Sequence, residues 1–352
     1  MNRVAIISCD NGLGHLRRCY LLALKFANNN NDVTLFAPLT KFQKFQKLFG
    51  AHKNIKNNNF SAGGHLADSI FKSMLMLDWI SQLPDLKQYS LVISDNLPEI
   101  LKVRPDAVLS GHFFWHDIGN NIPSYYAECC NELIDKYEPI VVGTGLLSSA
   151  AVKNCKNYKP TGIYIHGETD FDQQCKDSML ITGGSTSIIQ DKLTRIFEDV
   201  INDKRFSSYN IYVDQQLLKN SKVISNLILY EDIKNTEVVS KNNHNIYVAE
   251  YNKFMYKKID IALCRPGVGT LSDLLQYGCY PICFYEVENK EMQDNITSLK
   301  KIGLGSGLDI LTSADTLFER IETISAQKSN FLKILSCQNF DGVDTTYNLL
   351  IQ

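Results

Sequence analysis

"CRPGVGTLSDLL", Cys264 to Leu275, follows the apolar run "IDIAL" and precedes a second one, "YPICFY". A strand that empties into Arg265, Pro266 and two glycines, then opens a helix, is the strand-to-helix turn of a βαβ unit. Gly267 and Gly269 allow the backbone to approach an anion closely, with Val268 and Thr270 in the same turn. An anion at a helix start gains roughly 0.3–1 kcal/mol from the dipole alone. Thr270 and Ser272 add hydroxyl donors, and the Asp273 carboxylate can accept both hydroxyls of a ribose. One short loop thus offers complementary groups to the phosphate and sugar of a nucleotide; the alternative is a loop with a purely structural role.

Working outward, short β-branched and apolar runs alternate with longer helical patterns, as in parallel α/β sheets. The front half reads as strands at "RVAIIS", "DVTLFAP", "LVISD", "AVLSG" and "PIVVGT", with a first crossover helix from Leu16 to Ala27. The pattern loosens across "NYKPTGIYIHGETDFDQQCKDS" and restarts with "SMLITGG", "YNIYVD", "HNIYVAE", "DIALC" and "YPICFYE". The expected architecture is α/β: two Rossmann-like domains, 1–160 and 175–335, with parallel sheets facing a central cleft. Residues 336–352 are expected to pack back on the first domain.

Bulk properties narrow the function. At 352 residues the chain exceeds the size at which one core keeps growing. A formal charge of -2 with both signs scattered gives no footprint for nucleic acid. Ten cysteines at irregular spacing, and a start that passes straight into a strand, fit a reducing cytoplasm. No apolar run reaches the length of a membrane span. The Asn- and Lys-rich stretches "NNNND" and "KNIKNNNF" read as polar loops.

Two further turns carry candidate chemistry. "AIISCDNGLGHLRRCYLLA" runs from a strand into Gly12, Gly14 and His15, placing an imidazole where open α/β sheets hold their ligands. A dinucleotide site is the competing reading, but Arg17 stands where the third glycine would be, and strand two ends in "FAP" without an acid for the ribose. "LITGGSTS" offers the amides of Gly183 and Gly184 and the hydroxyl of Ser185 as a nest for phosphate, or as a plain helix start. Asp95 ends a strand and either orients His15 or simply forms a turn. His112 and His116 are four apart but lack a carboxylate at zinc-site spacing, so aromatic packing beside Phe114 and Trp115 is the reading.

From Val248 to Gly305 the sequence resembles the nucleotide-sugar half of GT-B glycosyltransferases, above all the family 28 enzymes. Their "CRSG" or "CRAG" turn matches "CRPG". The resemblance implies that Val248 and Ala249 flank the base, that Gly267, Gly269 and Thr270 meet the diphosphate with Arg265 and Val268 also on the nucleotide sugar, and that Asp273 takes the ribose in place of the more usual glutamate. The family's "E-Q-x-x-N" pattern, which holds the donor sugar, falls on Glu291 and Asn295, with Met292 at the amide position and Gln293 displaced by one. In the front half, "GLGHLRR" is similar to the family's glycine-rich loop. "LVISDNLP" with "AVLSGHFFWHDI" looks like the "SD-x-x-P … N-F-x-W" pattern of related predicted transferases.

The resulting expectation is an inverting glycosyltransferase that needs neither metal nor cofactor. His15 is its general base, supported by Asp95. Its donor is a nucleotide sugar, with UDP favoured by the resemblance. Gly14, Arg17, Trp115 and His116 are candidates on the side of a glycan, lipid-linked or protein acceptor. The alternatives are a nucleotide-sugar hydrolase like that of pseudaminic acid synthesis, which shares the "G-x-G-H-x-x-R" loop, and a sensor without turnover. "LTKFQKFQKLFG" sets Phe42, Phe45, Leu48 and Phe49 beside lysines, an arrangement suited either to peripheral membrane contact or to packing on the sheet.

Overall fold

The computed structural model describes residues 2–62, 78–118, 122–171, 177–184, 189–221, 239–241, 244–285, 289–309 and 312–351. They form two compact units. The first is Met1–Gly167, Glu288–Asp294 and Asn339–Gln352; the second is Glu168–Val287 and Asn295–Gln338.

The first unit holds a seven-stranded parallel sheet: β1 (Arg3–Ile7), β2 (Asp32–Ala37), β3 (Ile55–Asn59), β4 (Leu91–Asp95), β5 (Val108–Ser110), β6 (Val141–Thr144) and β7 (Tyr158–Thr161), in the order β3-β2-β1-β4-β5-β6-β7. The second holds β8 (Ser178–Thr182), β9 (Asn210–Val213), β10 (Val239–Lys241), β11 (His244–Val248), β12 (Ile259–Cys264), β13 (Tyr280–Phe284) and β14 (Ser306–Leu308), in the order β10-β11-β9-β8-β12-β13-β14. Among the described residues only the β10–β11 pair is antiparallel. Central strands covered on both faces explain the near-continuous apolar runs: Val4 to Ile7 and Met179 to Ile181 are wholly buried. Each aliphatic side chain so buried contributes about 1.5–3 kcal/mol before entropy is counted.

In each sheet the winding reverses direction once, between β1 and β4 in the first and between β8 and β12 in the second. Crevices form outside the carboxyl ends of strands at such reversals. Two helices start there, Leu13–Asn28 after β1 and Val268–Gln276 after β12.

Every strand named from the sequence is present, and the described residues hold four more that were not read. "KNIKNNNF", expected as a loop, supplies β3. Its polar residues suit an edge strand, and Asn57 Nδ2 donates to the carbonyls of Leu35 and Ala37. Strand β7 lies in the loosened stretch and carries Pro160, which an edge position tolerates.

The helix Gly342–Leu350 closes the first unit against Leu13–Asn28. Phe26 and Tyr347 meet edge to face at 5.0 Å, Lys25 pairs with Asp344 at 2.6 Å, and the Tyr164 hydroxyl bonds to that of Thr346. The backbones cross so closely that a Cβ on Gly342 would stand 2.3 Å from the carbonyl oxygen of Gly162. The helix Leu39–Phe49 buries Phe42 and Phe45, and the Tyr20 ring lies against Phe42, Phe45 and Phe49. Of the stripe considered for a membrane surface, Leu48 alone is left exposed, at 47%. Among the described residues, no helix is long and apolar enough to cross a membrane.

Candidate active site

The first reversal point assembles His15 and Asp95, eighty residues apart in sequence. Gly12 precedes the helix at φ 87°, a conformation that favours glycine, and no side chain caps the helix start. His15 lies in the first turn, and Asp95 is the last residue of β4. His15 Nδ1 sits 2.6 Å from Asp95 Oδ1; the His15 side chain is 12% exposed and that of Asp95 is fully buried. An ionised carboxylate only accepts, so Nδ1 carries the proton and Nε2 offers its lone pair outward. Phe113 meets the imidazole edge-on at 5.8 Å and Trp115 lies tilted against it at 6.0 Å. These rings fix the imidazole's plane.

Arg18 completes the group. Its Nε and Nη2 donate to Asp95 Oδ2 at 2.9 and 2.6 Å, and Nη2 also reaches Asn96 Oδ1 at 3.3 Å. Burial alone would raise the Asp95 carboxyl, but the Arg18 charge, His15 and their hydrogen bonds outweigh it and hold the group below the usual carboxylate range.

Of the two arginines of "HLRR", Arg18, which the sequence reading did not single out, is the one that meets Asp95. Arg17, expected on the acceptor side, instead donates to the Tyr164 carbonyl at 3.0 Å and lies over the Phe49 ring. The spacing held the signal: residues 15, 18 and 19 share one helix face, and 17 does not. Gly14 is exposed in the same turn. Trp115 faces His15, whereas His116 stacks flat on Phe114 at 5.4 Å.

The second reversal point joins the turns after β8 and β12. Arg265 N donates to the Thr182 carbonyl at 3.3 Å, and a Cβ on Gly184 would stand 3.9 Å from Thr270 Oγ1. The helix Val268–Gln276 begins at Gly267 without a side-chain cap, and its first intrahelical bond runs from Leu271 N to the Gly267 carbonyl. The amides of Val268, Gly269 and Thr270 come before that bond, which is the arrangement an anion uses. A Cβ on Gly267 would meet open space. Asp273 is half-buried one turn further in.

Two expectations change here. The amides of Gly183 and Gly184 do not form an open nest: Gly183 N donates to Asp214 Oδ2 at 2.9 Å and Gly184 N to Thr182 Oγ1 at 3.0 Å. Ser185 lies outside the described residues. The Ser272 hydroxyl turns back onto the Val268 carbonyl at 2.8 Å, leaving Thr270 as the hydroxyl of the turn.

Val248 packs against the core, and the Ala249 amide donates to the Val213 carbonyl. Tyr251, two residues on, is 37% exposed at φ 53°, and its hydroxyl lies 2.9 Å from Thr182 Oγ1. Glu291 and Gln293 are partly buried on the helix Lys290–Ile302; Met292 is buried, and Asn295 Nδ2 donates to the Pro266 carbonyl at 2.9 Å. Asn295 therefore holds the turn itself.

Asp214 and Tyr251 went unread in the sequence, although "YNIYVD" places an acid at the end of a strand. Burial pushes Asp214 up to about 6, against the hydrogen bonds from Gly183 and Thr182.

No family profile matches the chain, and no curated protein matches it in sequence. Solved structures do match in fold. The spinosyn rhamnosyltransferase SpnG complexed with thymidine diphosphate aligns with a TM-score of 0.62 at 12% identity, over 99% of this chain and 100% of that one. LpCGTa in complex with UDP aligns at 0.64 and 11%, over 99% and 98%. MurG of Acinetobacter baumannii aligns at 0.60 and 14%, over 99% of each chain. At such identities the likeness is one of fold, and it spans both units. The chain has the GT-B fold of the glycosyltransferases.

Proposed function

We propose that the protein is an inverting glycosyltransferase that moves a sugar from a nucleoside diphosphate to an acceptor hydroxyl. The observation that carries this reading is the contact between His15 and the buried Asp95 at the carboxyl ends of β1 and β4. It leaves Nε2 as a base directed outward. In the reaction, Nε2 takes the proton of the acceptor hydroxyl while its oxygen bonds to the anomeric carbon. The bond from that carbon to the diphosphate breaks on the opposite face, and the diphosphate leaves with the electron pair. A base so placed contributes roughly 10²–10⁴-fold.

The turn from Arg265 to Thr270 would receive the diphosphate, with Asp273 on the ribose. The uncapped helix start then meets the developing negative charge, and the proposal assigns no metal to that task. Neighbours bound to thymidine diphosphate and to UDP make both donors worth testing, and a glycan, a lipid-linked sugar or a protein remains the proposed acceptor class.

Incubation with UDP- and dTDP-sugars, with and without an acceptor panel, tests the reading. Acceptor-dependent release of nucleoside diphosphate, with inverted product and no loss in EDTA, is expected. Stoichiometric free sugar without acceptor would establish the hydrolase instead, and binding without turnover the sensor.

A further inference from the structure

The buried group at the first reversal point holds a cation that the reaction above does not use. Asp95 divides its oxygens, Oδ1 to His15 and Oδ2 to both Nε and Nη2 of Arg18. We propose that Arg18 is a positioning residue for the base: it supplies the one positive charge the buried Asp95 carboxylate requires, and so leaves the His15 imidazole unprotonated. This rests on the reading of His15 as the base.

Charge balance around the buried carboxylate sets the state of the ring. A carboxylate taken out of water requires one compensating cation. Arg18 keeps its proton at any accessible pH, so that cation is permanent. With it in place, a proton on His15 would set two cations against one anion around a sealed carboxylate. Without it, His15 is the group within reach of Asp95 that can become positive, and it would keep the proton it is meant to accept.

The other titratable groups facing the trio leave this balance unchanged. Burial raises the thiols of Cys19, on the same helix, and of Cys9, after β1. Burial raises the Tyr164 phenol, after β7. His112, after β5, is held well below the usual imidazole range by burial and by the charge of Arg18. All four are neutral near pH 7.

The packing holds the guanidinium in this role. Asn96, at φ 56°, accepts from Nη2, and a Cβ on Gly111 would come within 1.8 Å of the Asn96 side-chain oxygen. Only glycine at 111 leaves room for that amide.

Ring-nitrogen NMR of His15 across pH, in the wild type, Arg18→Met and Arg18→Lys, tests the proposal without any substrate. The wild type should show a neutral ring with its proton on Nδ1 at pH 7.5. Arg18→Met should move the protonation midpoint of His15 upward by about one pH unit or more, a tenfold change in acid dissociation, and Arg18→Lys should return it toward the wild type. An unmoved midpoint in a folded Arg18→Met protein overturns the proposal. If that variant does not fold, an imidazolium in the wild type at pH 7.5 overturns it equally.

The turnover assay answers the separate question of the transferase reading, and its failure would leave the spectra standing. Where turnover is found, the acidic limb of kcat/KM should move with the NMR midpoint, a shift that a merely structural arginine would not produce.

Discussion

The two reversal points share a geometry and differ in chemistry. Both lie where a parallel sheet changes its direction of winding, and both open a helix at a glycine without a side-chain cap. The first is filled with charge, in which His15, Arg18 and Asp95 interlock inside the protein. The second turns mostly backbone toward its crevice, and the buried carboxyl of Asp214 meets hydroxyl and amide donors. The same topology thus yields a site suited to moving a proton and a site suited to holding an anion. His15 and Arg18 on the first helix, with Asp95 at the end of β4, make the difference.

His15→Ala should separate the two sites most sharply. Turnover should fall roughly 10²–10⁴-fold while nucleotide affinity, measured by calorimetry, stays at the wild-type value. Equal losses in both would mean that the division of labour is wrong.

Asp214→Asn acts next, through stability. Folded Asp214 keeps its proton up to about pH 6, against an ordinary value of 3.8. The folded state therefore binds more protons in that window, and stability declines as pH rises through it. The variant should flatten this slope, by at most about 3 kcal/mol, in urea melts at pH 4 and pH 7. Asp95, with Arg18 and His15 beside it, is shifted the other way, so its contribution is lost as pH falls. A pair of carboxylates with the same pH response would erase the contrast.

Two glycine variants give the smaller effects. Gly111→Ala should cost about 1–3 kcal/mol of stability, because the new methyl overlaps the Asn96 amide that steadies Arg18. Gly267→Ala, whose Cβ enters open space at an ordinary φ of -69°, should change the melting temperature little and weaken nucleotide binding by about tenfold, or about 1.4 kcal/mol. A thermally fragile Gly267→Ala protein would show that this crevice, too, is fixed by internal packing.

The strong apolar strands were legible because burial on both faces leaves an unbroken signature, as in "VAII" and "MLI". The edge strand β3 was not, since its asparagines face half-exposed surroundings and pair only on one side. His15 and Asp95 could be read singly from their places at strand ends. Their contact depends on β1 and β4 becoming neighbours, which only the sheet order decides. The engagement of Gly183 by Asp214 was hidden for the same reason: two strand ends meet through β8 and β9, and a motif read along one segment does not contain the other.

The closing helix Gly342–Leu350 has a consequence for biosynthesis. Its contacts link Phe26 to Tyr347 and the backbone at Gly162 to that at Gly342, so the first unit draws on segments far apart in the chain. A nascent chain released from the ribosome as far as residue 167 would carry β1 to β7 with the apolar flank of its first helix still wet. The unit translated first is therefore the last to be finished, and a fragment ending there should require the separate tail peptide to fold.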